Sequence, residues 1–315
     1  MLGLAKKLAA KGIMGINRRN CQFTQVYNPR RYYPLVDDKL ETKKLALRAG
    51  IAVPDLYGIV EIEHQIAELP GLLGKYANFV LKPAHGSGGD GVMVIVGRAR
   101  NLYRKANGKY IDQEELDHHV SNILNGLFSI GGHDDKAIIE YQVNYDPVFE
   151  AITYQGVPDI RIIVFRGVPV AAMARLPTRM SDGKANLHQG AIGAGVDIAT
   201  GKTLSAVWRN EIVYEHPDTQ QPVEGVQIPR WDELLHIAAY CYEMTGMGYI
   251  GVDIVLDRDL GPLVLELNAR PGLNIQIANK AGLLPRLEFV EANGSMLGSL
   301  RDRVAFAKRM VSRVH

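Results

Sequence analysis

Short runs of apolar residues, separated by glycine, proline and polar turns, recur along the chain and predict β-strands. These runs are NFVLKP (78–83), GVMVIV (91–96), AIIEYQV (137–143), DIRIIVFRG (159–167), VPVAAMARL (168–176), IGVDIVLD (250–257) and PLVLELN (262–268). Other stretches carry apolar residues at helical spacing or end at a glycine, and they predict helices over 37–50, 112–130, 229–246 and 296–313. The fold therefore contains both strands and helices, and the sequence shows no internal repeat.

Two stretches have neither pattern. Residues 18–36 mix arginines with tyrosines and prolines, which predicts an extended, ordered arm that follows an amphipathic N-terminal surface helix. Such an arm either holds an anionic substrate or RNA, or packs on the core with its arginines in solvent. Residues 181–195, SDGKANLHQGAIGAG, are rich in glycine and have no periodicity, which predicts a mobile loop.

The composition is that of a folded globular protein, since 47% of the 315 residues are hydrophobic and 22% are charged. The 36 basic and 34 acidic residues nearly cancel, so no overall field attracts nucleic acid, and no nucleic-acid partner is expected. No apolar stretch approaches the ~18 residues of a transmembrane helix, and lysines interrupt the N-terminal apolar runs before they reach signal-peptide length. Only Cys21 and Cys241 are present, far apart, which indicates a reducing compartment and a cytoplasmic protein.

The segment HGSGGDG, residues 85–91, contains Gly86, Gly88 and Gly91 in the spacing G-x-G-x-x-G. A dinucleotide-binding loop must open a helix, whereas a β-branched run follows here, and the chain has no Walker, HRD or DFG motif. The order of strand, glycine turn and strand predicts a turn whose backbone N–H groups close over ATP phosphates. Lys82, on the entering strand, would neutralise those phosphates. The alternative is an ordinary glycine-rich hairpin.

Asp253 and Glu266 each interrupt an apolar run. The midpoint between them falls in an Asp-Leu-Gly-Pro turn, so a simple hairpin places the two carboxylates opposite each other, with Asn268 on the same face as Glu266. Two carboxylates and an amide oxygen are hard ligands, suited to Mg²⁺ that also binds substrate phosphates. The alternative is a structural role in salt bridges to nearby arginines.

Several motifs, taken together and in order, resemble those of ATP-grasp enzymes. They are Lys82-Pro83, the HGSGGDG loop, Asp159-Ile-Arg161, Asn186-Leu-His188, Asp253, and Glu266-Leu-Asn268-Ala-Arg270-Pro-Gly272. Within that superfamily the chain most resembles RimK-related, alpha-L-glutamate ligase-like proteins, and it is also similar to sugar-transfer-associated ATP-grasp proteins. The resemblance covers residues 37–285.

The resemblance implies an α+β fold of the ATP-grasp type, in which two α+β subdomains clasp ATP between them. It implies an N-terminal subdomain with the glycine-rich lid over 37–136, and a C-terminal subdomain with the metal site and a C-terminal helix over 137–315. Residues 1–36, a helix and an extended arm, are too few for the α/β domain that usually precedes such ligases. The acceptor site is then expected to be built differently, or to be completed by a partner protein or a second copy of the chain.

The resemblance also implies roles for individual residues. Lys82 and the loop residues His85, Gly86, Ser87, Gly88, Gly89 and Gly91 would bind the ATP phosphates, and Glu140, Gln142, Val143 and Asp146 would bind the adenosine. Arg161, Arg175 and Arg270 would act on the transferred phosphate, while Asn186 and His188 would lie on a loop that closes over the substrate. Asp253, Glu266 and Asn268 would hold Mg²⁺, with Mn²⁺ as the alternative ion. For Arg161, Arg175 and His188 a purely structural or exposed position is the alternative.

The implied reaction is an ATP- and Mg²⁺-dependent ligation of a carboxylate to an amine through an acyl phosphate, with small-molecule or peptide substrates. Glutamate is a candidate substrate through the resemblance alone. Two other functions stay open on the sequence. One is a phosphotransferase that acts on a sugar or another hydroxyl, and the other is a non-catalytic ATP-binding partner protein.

Overall fold

The computed structural model describes residues 2–86, 88–129, 131–293, 298–311 and 313. Its α-helices are α1 (Leu2–Ala10), α2 (Ile16–Arg18), α3 (Gln25–Tyr27), α4 (Pro34–Asp37), α5 (Lys39–Arg48), α6 (Leu69–Leu73), α7 (Gln113–Leu124), α8 (Trp231–Thr245), α9 (Ile275–Ala278), α10 (Leu284–Asn293) and α11 (Leu300–Met310). Short 3₁₀-helices lie at Arg30–Tyr32, Glu63–Glu68, Pro147–Ile152 and Leu187–Gln189, and Arg19–Thr24 is a π-helix. Among the described residues, no helix has the length and apolar character needed to cross a membrane.

The first sheet consists of β1 (Leu56–Val60), β2 (Phe79–Pro83), β3 (Met93–Ala99), β4 (Leu102–Lys105), β5 (Tyr110–Ile111) and β6 (Ala137–Glu140). These six strands run antiparallel in the order β1-β6-β2-β3-β4-β5. Phe79, Leu81 and Ile95 are fully buried, and α7 packs Leu116 and Val120 against them. Burying one face of the sheet under a helix gives this part of the chain its own hydrophobic core.

The second sheet consists of β7 (Asp159–Phe165), β8 (Val168–Leu176), β9 (Ile192–Val196), β10 (Thr203–Trp208), β11 (Glu211–Val213), β12 (Tyr249–Asp257) and β13 (Gly261–Asn268). These seven strands are antiparallel in the order β11-β10-β9-β8-β7-β12-β13. Every residue of β7 and β12 is buried. Helix α8 packs against β7, β8 and β12, and α11 packs against β8 and α8. The near-continuous apolar runs in the sequence reflect this burial.

The strongest sequence patterns are confirmed. The glycine-linked runs form the antiparallel pair β2 and β3, and the run after Asp159 forms the hairpin β7 and β8. Helix α7 begins at the predicted place because the Asp112 side chain accepts from the N–H of Glu115. Helix α8 ends at Gly246, which has a φ of +68° and supplies the left-handed residue that stops a helix.

The prediction of an extended arm over 18–36 is wrong. Most of this stretch is helical, from α2 through the π-helix to α3, and again from Arg30 to Asp37. Phe23 causes the difference, because its ring is 3% exposed and lies edge-on against Phe165 at 5.5 Å between centroids. Burying that ring in the core of the second sheet outweighs the weak helix preference of the surrounding residues.

Two boundaries also differ from expectation. Strand β6 pairs with β1 and β2, so it belongs to the first sheet, which extends to Glu140. The boundary expected between the two subdomains, at 136/137, would separate β6 from the rest of that sheet. The predicted loop 181–195 contains a 3₁₀-turn at Leu187–Gln189, and β9 begins at Ile192. Glycines in β9 hid that strand, since Gly195 packs directly against the backbone of Ala278.

Candidate active site

The glycine-rich turn joins β2 to β3, two interior strands, at one end of the first sheet. Gly88, Gly89 and Gly91 have φ angles of +67°, +81° and +74°, a backbone region that other residues rarely adopt. A Cβ at Gly91 would also lie 2.6 Å from the Phe128 ring. The turn itself therefore requires these glycines. Ser87, which was expected to bind phosphate, lies outside the described residues.

Lys82 lies on β2 against a buried carboxylate of the neighbouring strand. Its ammonium forms an ion pair with Glu140 on β6, and Lys43 of α5 lies 3.1 Å from the other carboxylate oxygen. Burial raises the pKa of Glu140, but the two lysines outweigh it and hold that pKa below its usual range. Glu140 is therefore ionised between two ammonium groups, and this cluster carries one positive charge in excess. In this structure its carboxylate binds lysines, and its expected contact with adenosine stays a prediction.

Lys39, which the sequence analysis did not select, lies between the two sheets. Asp38 caps α5 with its carboxylate, which makes Lys39 the first residue of that helix. The Lys39 ammonium donates to the carbonyl of Gly86 at the start of the glycine turn. Burial lowers the pKa of Lys39, while Glu266 on the second sheet raises it and Lys82 lowers it. Lys39 is thus close to the basic cluster of one sheet and to a carboxylate of the other.

His85, at the base of the glycine turn, has both ring nitrogens facing carboxylates. Its Nδ1 lies 2.7 Å from Asp135 Oδ1, and its Nε2 lies 3.5 Å from Asp38 Oδ2. The backbone N–H of His85 also donates to Asp135. These contacts order the start of the turn, and direct binding of phosphate by His85 stays a prediction.

On the second sheet, Asp253 on β12 is held by two arginines. Arg161 Nε donates to Asp253 Oδ1 at 2.6 Å, and its Nη2 bonds to Oδ2. Arg175 Nη2 donates to the same Oδ2 at 2.6 Å and also to Asp159 Oδ2 at 2.6 Å. Burial raises the pKa of Asp253, but the two guanidinium groups outweigh it and hold that pKa well below its usual range. The salt bridges that were an alternative for Asp253, Arg161 and Arg175 are therefore present.

Glu266 and Asn268 on β13 lie beside this network. The register pairs Asp253 with Glu266, as the position of the turn predicted. Asn268 Nδ2 lies 3.3 Å from Glu266 Oε1 and 3.4 Å from Asp253 Oδ2. The Glu266 side chain is 33% exposed, and its nearest guanidinium atom, Arg161 Nη2, is 3.8 Å away.

These residues fit a magnesium ion in part. Glu266 offers an accessible carboxylate, and the Asn268 amide, whose nitrogen faces Glu266 here, would present its oxygen there if it were rotated by half a turn. Mg²⁺ commonly takes one or two carboxylates and completes its octahedron with water and phosphate oxygens. Asp253 differs, because both of its oxygens already accept from arginines. In the part of the chain that the structure describes, no group of three or more His, Cys, Asp or Glu side chains is arranged to hold a metal.

The connection from β6 toward the second sheet contains the residues expected to bind adenosine. Gln142 Oε1 is buried and has no hydrogen-bond partner among the described residues, which leaves an acceptor for an amino group. Val143 is 7% exposed and packs in a small apolar cluster. Asp146 instead caps the following 3₁₀-helix. Asp257, which the sequence analysis missed, orders this connection by accepting from the Tyr141 hydroxyl at 3.0 Å.

The loop around Asn186 touches the glycine turn. Asn186 Nδ2 donates to the carbonyl of Gly88 at 2.8 Å, and Gln189 Nε2 donates to Asp90 at 3.1 Å. His188, between them in sequence, is exposed. The loop between β8 and β9 and the turn between β2 and β3 are therefore joined by two hydrogen bonds.

Arg270 follows β13 and is fixed by the N-terminal segment. Its guanidinium lies 4.8 Å from the centre of the Tyr33 ring. Arg19, in the π-helix, donates through Nη1 to the carbonyl of Pro271 at 3.0 Å and to that of Arg270 at 3.4 Å. The turn that carries Arg270 is therefore ordered by residues more than 200 positions earlier in the chain. No short-range signal in the sequence marks Arg19.

The charges of the two sheets are opposite. In the first, Lys82 and Lys43 outnumber Glu140. In the second, the three carboxylates of Asp159, Asp253 and Glu266 form ion pairs with two arginines, Arg161 and Arg175, among the residues that the structure describes. Lys39 lies near both groups. A glycine turn beside excess positive charge and an acidic cluster across from it form two parts of one candidate nucleotide site.

Two antiparallel sheets that present such a site define a protein of the ATP-grasp class. More narrowly, the chain belongs to the family of sugar-transfer associated ATP-grasp proteins, whose family profile matches residues 18–292. The match starts at Arg18, the last residue of α2, so it includes the π-helix and the segment that carries Tyr33.

Solved ATP-grasp structures are similar to this chain at low identity. The D-alanine–D-alanine ligase of Bacillus anthracis, solved with ATP, is 17% identical with a TM-score of 0.44, over 90% of this chain and 69% of that one. A RimK domain ATP-grasp protein of Sphaerobacter thermophilus is 14% identical with a TM-score of 0.46, over 83% and 69%. The ATP-grasp ligase PsnB, solved with a minimal precursor, is 15% identical with a TM-score of 0.44, over 84% of this chain and only 63% of its own length. No curated protein matches the sequence.

Proposed function

We propose that the protein is an ATP-dependent carboxylate–amine ligase that uses Mg²⁺ and forms an amide through an acyl phosphate. The observation that carries this proposal is the opposite charge of the two sheets around the glycine turn. Excess positive charge at Lys82 and Lys43 suits the phosphates of ATP, and excess negative charge at Glu266 suits a divalent cation. The two sheets divide after Glu140, and we propose the same limit for the two subdomains.

The chain's own groups would bind and position the reactants. Lys82 and Lys39 would donate to ATP phosphates beneath the glycine turn. Gln142 would accept from the adenine amino group through its unpartnered oxygen. Glu266 and Asn268 would hold Mg²⁺, which when bound neutralises phosphate charge, and Asp253 would hold the two arginines in place. No side-chain nucleophile is required, so positioning and charge stabilisation account for catalysis.

In the proposed reaction, an oxygen of the carboxylate substrate attacks the γ-phosphorus of ATP, and the bond to the β,γ-bridging oxygen breaks to release ADP. An amine nitrogen then attacks the acyl carbon, phosphate departs with the electron pair of the C–O bond, and the nitrogen loses a proton. Arg270, fixed by Tyr33 and Arg19, would stabilise the charge on the acyl phosphate. The bonded loops at Gly88 and Asn186 would exclude water from that intermediate.

A phosphotransferase that acts on a sugar hydroxyl is the second candidate, and the name of the matching family, sugar-transfer associated, is the observation that favours it. The same nucleotide site serves both reactions. They differ in the fate of the γ-phosphate, which becomes free phosphate in a ligase and stays on the product in a phosphotransferase.

Hydroxylamine separates the two candidates. The protein is incubated with ATP, Mg²⁺, hydroxylamine and pools of amino acids, peptides and sugars, and the products are analysed by mass spectrometry. The ligase is expected to yield a hydroxamate of one carboxylate, with ADP and phosphate released in equal amounts. A phosphorylated sugar without free phosphate would replace the ligase with the phosphotransferase. The Glu266→Gln variant serves as the control that should form neither product.

A further inference from the structure

A pocket of about 400 Å³ opens beside the loop that touches the glycine turn. Leu187 and His188 line it, while their neighbours Asn186 and Gln189 bond to the glycine turn. Its other wall includes Asn274, four residues after Arg270. Both walls are therefore continuous with segments of the candidate active site, and the volume suits a small organic molecule.

The pocket also lies on the reactive face of the second sheet. Val207, which lines it, pairs with Gly193, and Gly193 pairs with Arg175. Paired residues in antiparallel strands point to the same face, so Val207 and the Arg175 network share one face. Two strand spacings separate them, a distance of roughly 10 Å.

The lining combines apolar residues with Arg209 and with the polar side chains of His188, Asn210 and Asn274. Met180 and Ile277, which line the pocket, are 55% and 43% exposed, and Leu187 and Val207 add further apolar surface. Of the described residues that form the lining, none is acidic. Apolar contact at Met180 and Ile277, together with the cation of Arg209, suits a ligand that has both an apolar group and a carboxylate.

That cation, Arg209, is held in an unusual conformation. Arg209 and Asn210 form the two-residue turn between β10 and β11, and both have positive φ, at +50° and +69°. Turns of this kind normally use Asn or Gly at both positions, so an arginine here stores strain. The neighbouring Trp208 anchors the turn by donating from its indole N–H to the Gly190 carbonyl at 2.8 Å. Arg209 thus lines the pocket with an exposed side chain on an ordered turn.

We propose that this pocket binds the amine substrate, and that this substrate is a short peptide with an apolar C-terminal residue and a free carboxylate. The inference rests on the ligase function proposed above. The carboxylate pairs with Arg209, the apolar side chain contacts Met180 and Ile277, and the N-terminal amine points toward the Arg175 network. A single amino acid does not suffice, because its amine and carboxylate share one carbon, whereas an extended chain gains about 3.3–3.6 Å per residue toward the acyl phosphate.

Calorimetry with glycyl-leucine tests the proposal directly, in the presence of MgADP. Glycyl-leucine is expected to bind, and glycyl-leucinamide, which lacks the carboxylate, is expected to bind about fivefold more weakly because an exposed ion pair is lost. Arg209→Ala should weaken glycyl-leucine binding by the same factor and remove the difference between the two peptides. Arg104→Ala, at an exposed position on the first sheet, is the matched control that should change nothing.

A second variant addresses the apolar wall. Ile277→Asp places a carboxylate in the lining at a position exposed enough for the fold to tolerate it, and it should weaken glycyl-leucine binding further. Equal binding of both peptides, no binding of glycyl-leucine, or displacement of glycyl-leucine by glucose would overturn the proposal. Because this readout is binding, it is independent of turnover. If glycyl-leucine binds as expected but no carboxylate gives a hydroxamate, the ligase function fails and the peptide site stands.

Discussion

Each sheet contains one buried carboxylate between two basic side chains, but the basic residues differ. Glu140 in the first sheet faces Lys82 and Lys43, and Asp253 in the second faces Arg161 and Arg175. Arginine forms paired hydrogen bonds in a planar fork, which fixes the carboxylate, whereas a lysine ammonium is a point charge on a flexible stem. We therefore interpret the arginine network as a rigid support for Asp253. We interpret the lysine pair as an arrangement in which one ammonium group can move to a ligand.

The lysine pair is itself asymmetric. Lys43 forms an ion pair with Glu140 and donates to the Pro54 carbonyl, while Lys82, among the described residues, forms an ion pair with Glu140 alone. In the proposed nucleotide site, phosphate would draw Lys82 away and leave Glu140 neutralised by Lys43. A buried carboxylate with two lysines thus stays compensated in both states.

The largest expected effect tests the arginine network around Asp253. Asp253→Asn removes the charge that two buried arginines share, and breaking a buried pair in this way costs about 3–5 kcal/mol. We expect the free energy of unfolding, from urea titration, to fall by that amount, and turnover to be lost with it.

Glu266→Gln is the matched control, since that side chain is partly exposed and 3.8 Å from the nearest guanidinium atom. It should keep the wild-type unfolding midpoint and lose Mg²⁺-dependent turnover. An Asp253→Asn variant as stable as wild type would mean that the arginine contacts carry no net stability, and Asp253 would then be better explained as a metal ligand.

The next largest expected effect tests the lysine pair around Glu140. Lys82→Met should lower ATP affinity about tenfold or more, because a charge-assisted contact to phosphate contributes about 1.5–3 kcal/mol. The fold should persist, since Lys43 still compensates Glu140. Lys43→Met should instead lower stability and leave ATP affinity nearly unchanged in the folded fraction. Calorimetry with ATP decides between them, and equal losses of affinity in both variants would remove the asymmetry.

A smaller effect is expected at the segment that supports Arg270. Arg19→Ala removes two hydrogen bonds to the turn at Arg270 and Pro271, so kcat should fall about tenfold through loss of positioning. The KM for ATP should stay unchanged, because Arg19 touches no part of the first sheet in the described structure. Arg19→Lys should restore part of kcat. A change in KM for ATP with constant kcat would assign Arg19 to nucleotide binding.

The smallest expected effect is a pH dependence of stability. Burial raises the pKa of Asp159 from 3.8 to about 6, although Arg175 opposes the shift. Between those values the folded state binds more protons at Asp159 than the unfolded state does, so the contribution of this group to stability is lost as pH rises through about 6. Relative to Asp159→Asn, wild type should lose about 1 kcal/mol between pH 5 and pH 7. A constant difference between the two proteins over that range would contradict the raised pKa.

The sequence predicts those parts of the molecule that local patterns determine. Asp253 and Glu266 pair as expected because a tight turn lies halfway between them. The glycine turn could be predicted because its backbone conformation is one that residues other than glycine rarely adopt. The partners in ion pairs and long-range hydrogen bonds could not be predicted in this way. Nothing near Glu140 indicates that Lys43 will reach it, and Arg19 meets the Arg270 carbonyl across 251 positions.

The error over residues 18–36 has the same origin. Arginine, tyrosine and proline in that stretch favour no regular structure by themselves. Burial of Phe23 against Phe165 and Tyr249 decides the conformation, and these partners lie on two strands of the second sheet. Tertiary contacts set both the shape of this segment and its place at the candidate active site.

The helical segment from Ile16 to Asp37 has a consequence for how this protein can be recombined with others. It fills the core of the second sheet through Phe23, orders the turn at Arg270 through Arg19 and Tyr33, and leads directly into the helix that begins with Lys39. A transplant that starts at Asp37 would leave the faces of Phe165 and Tyr249 bare and the arginine turn without support. The exchangeable unit of this protein therefore begins upstream of the motifs that resemble other ATP-grasp enzymes.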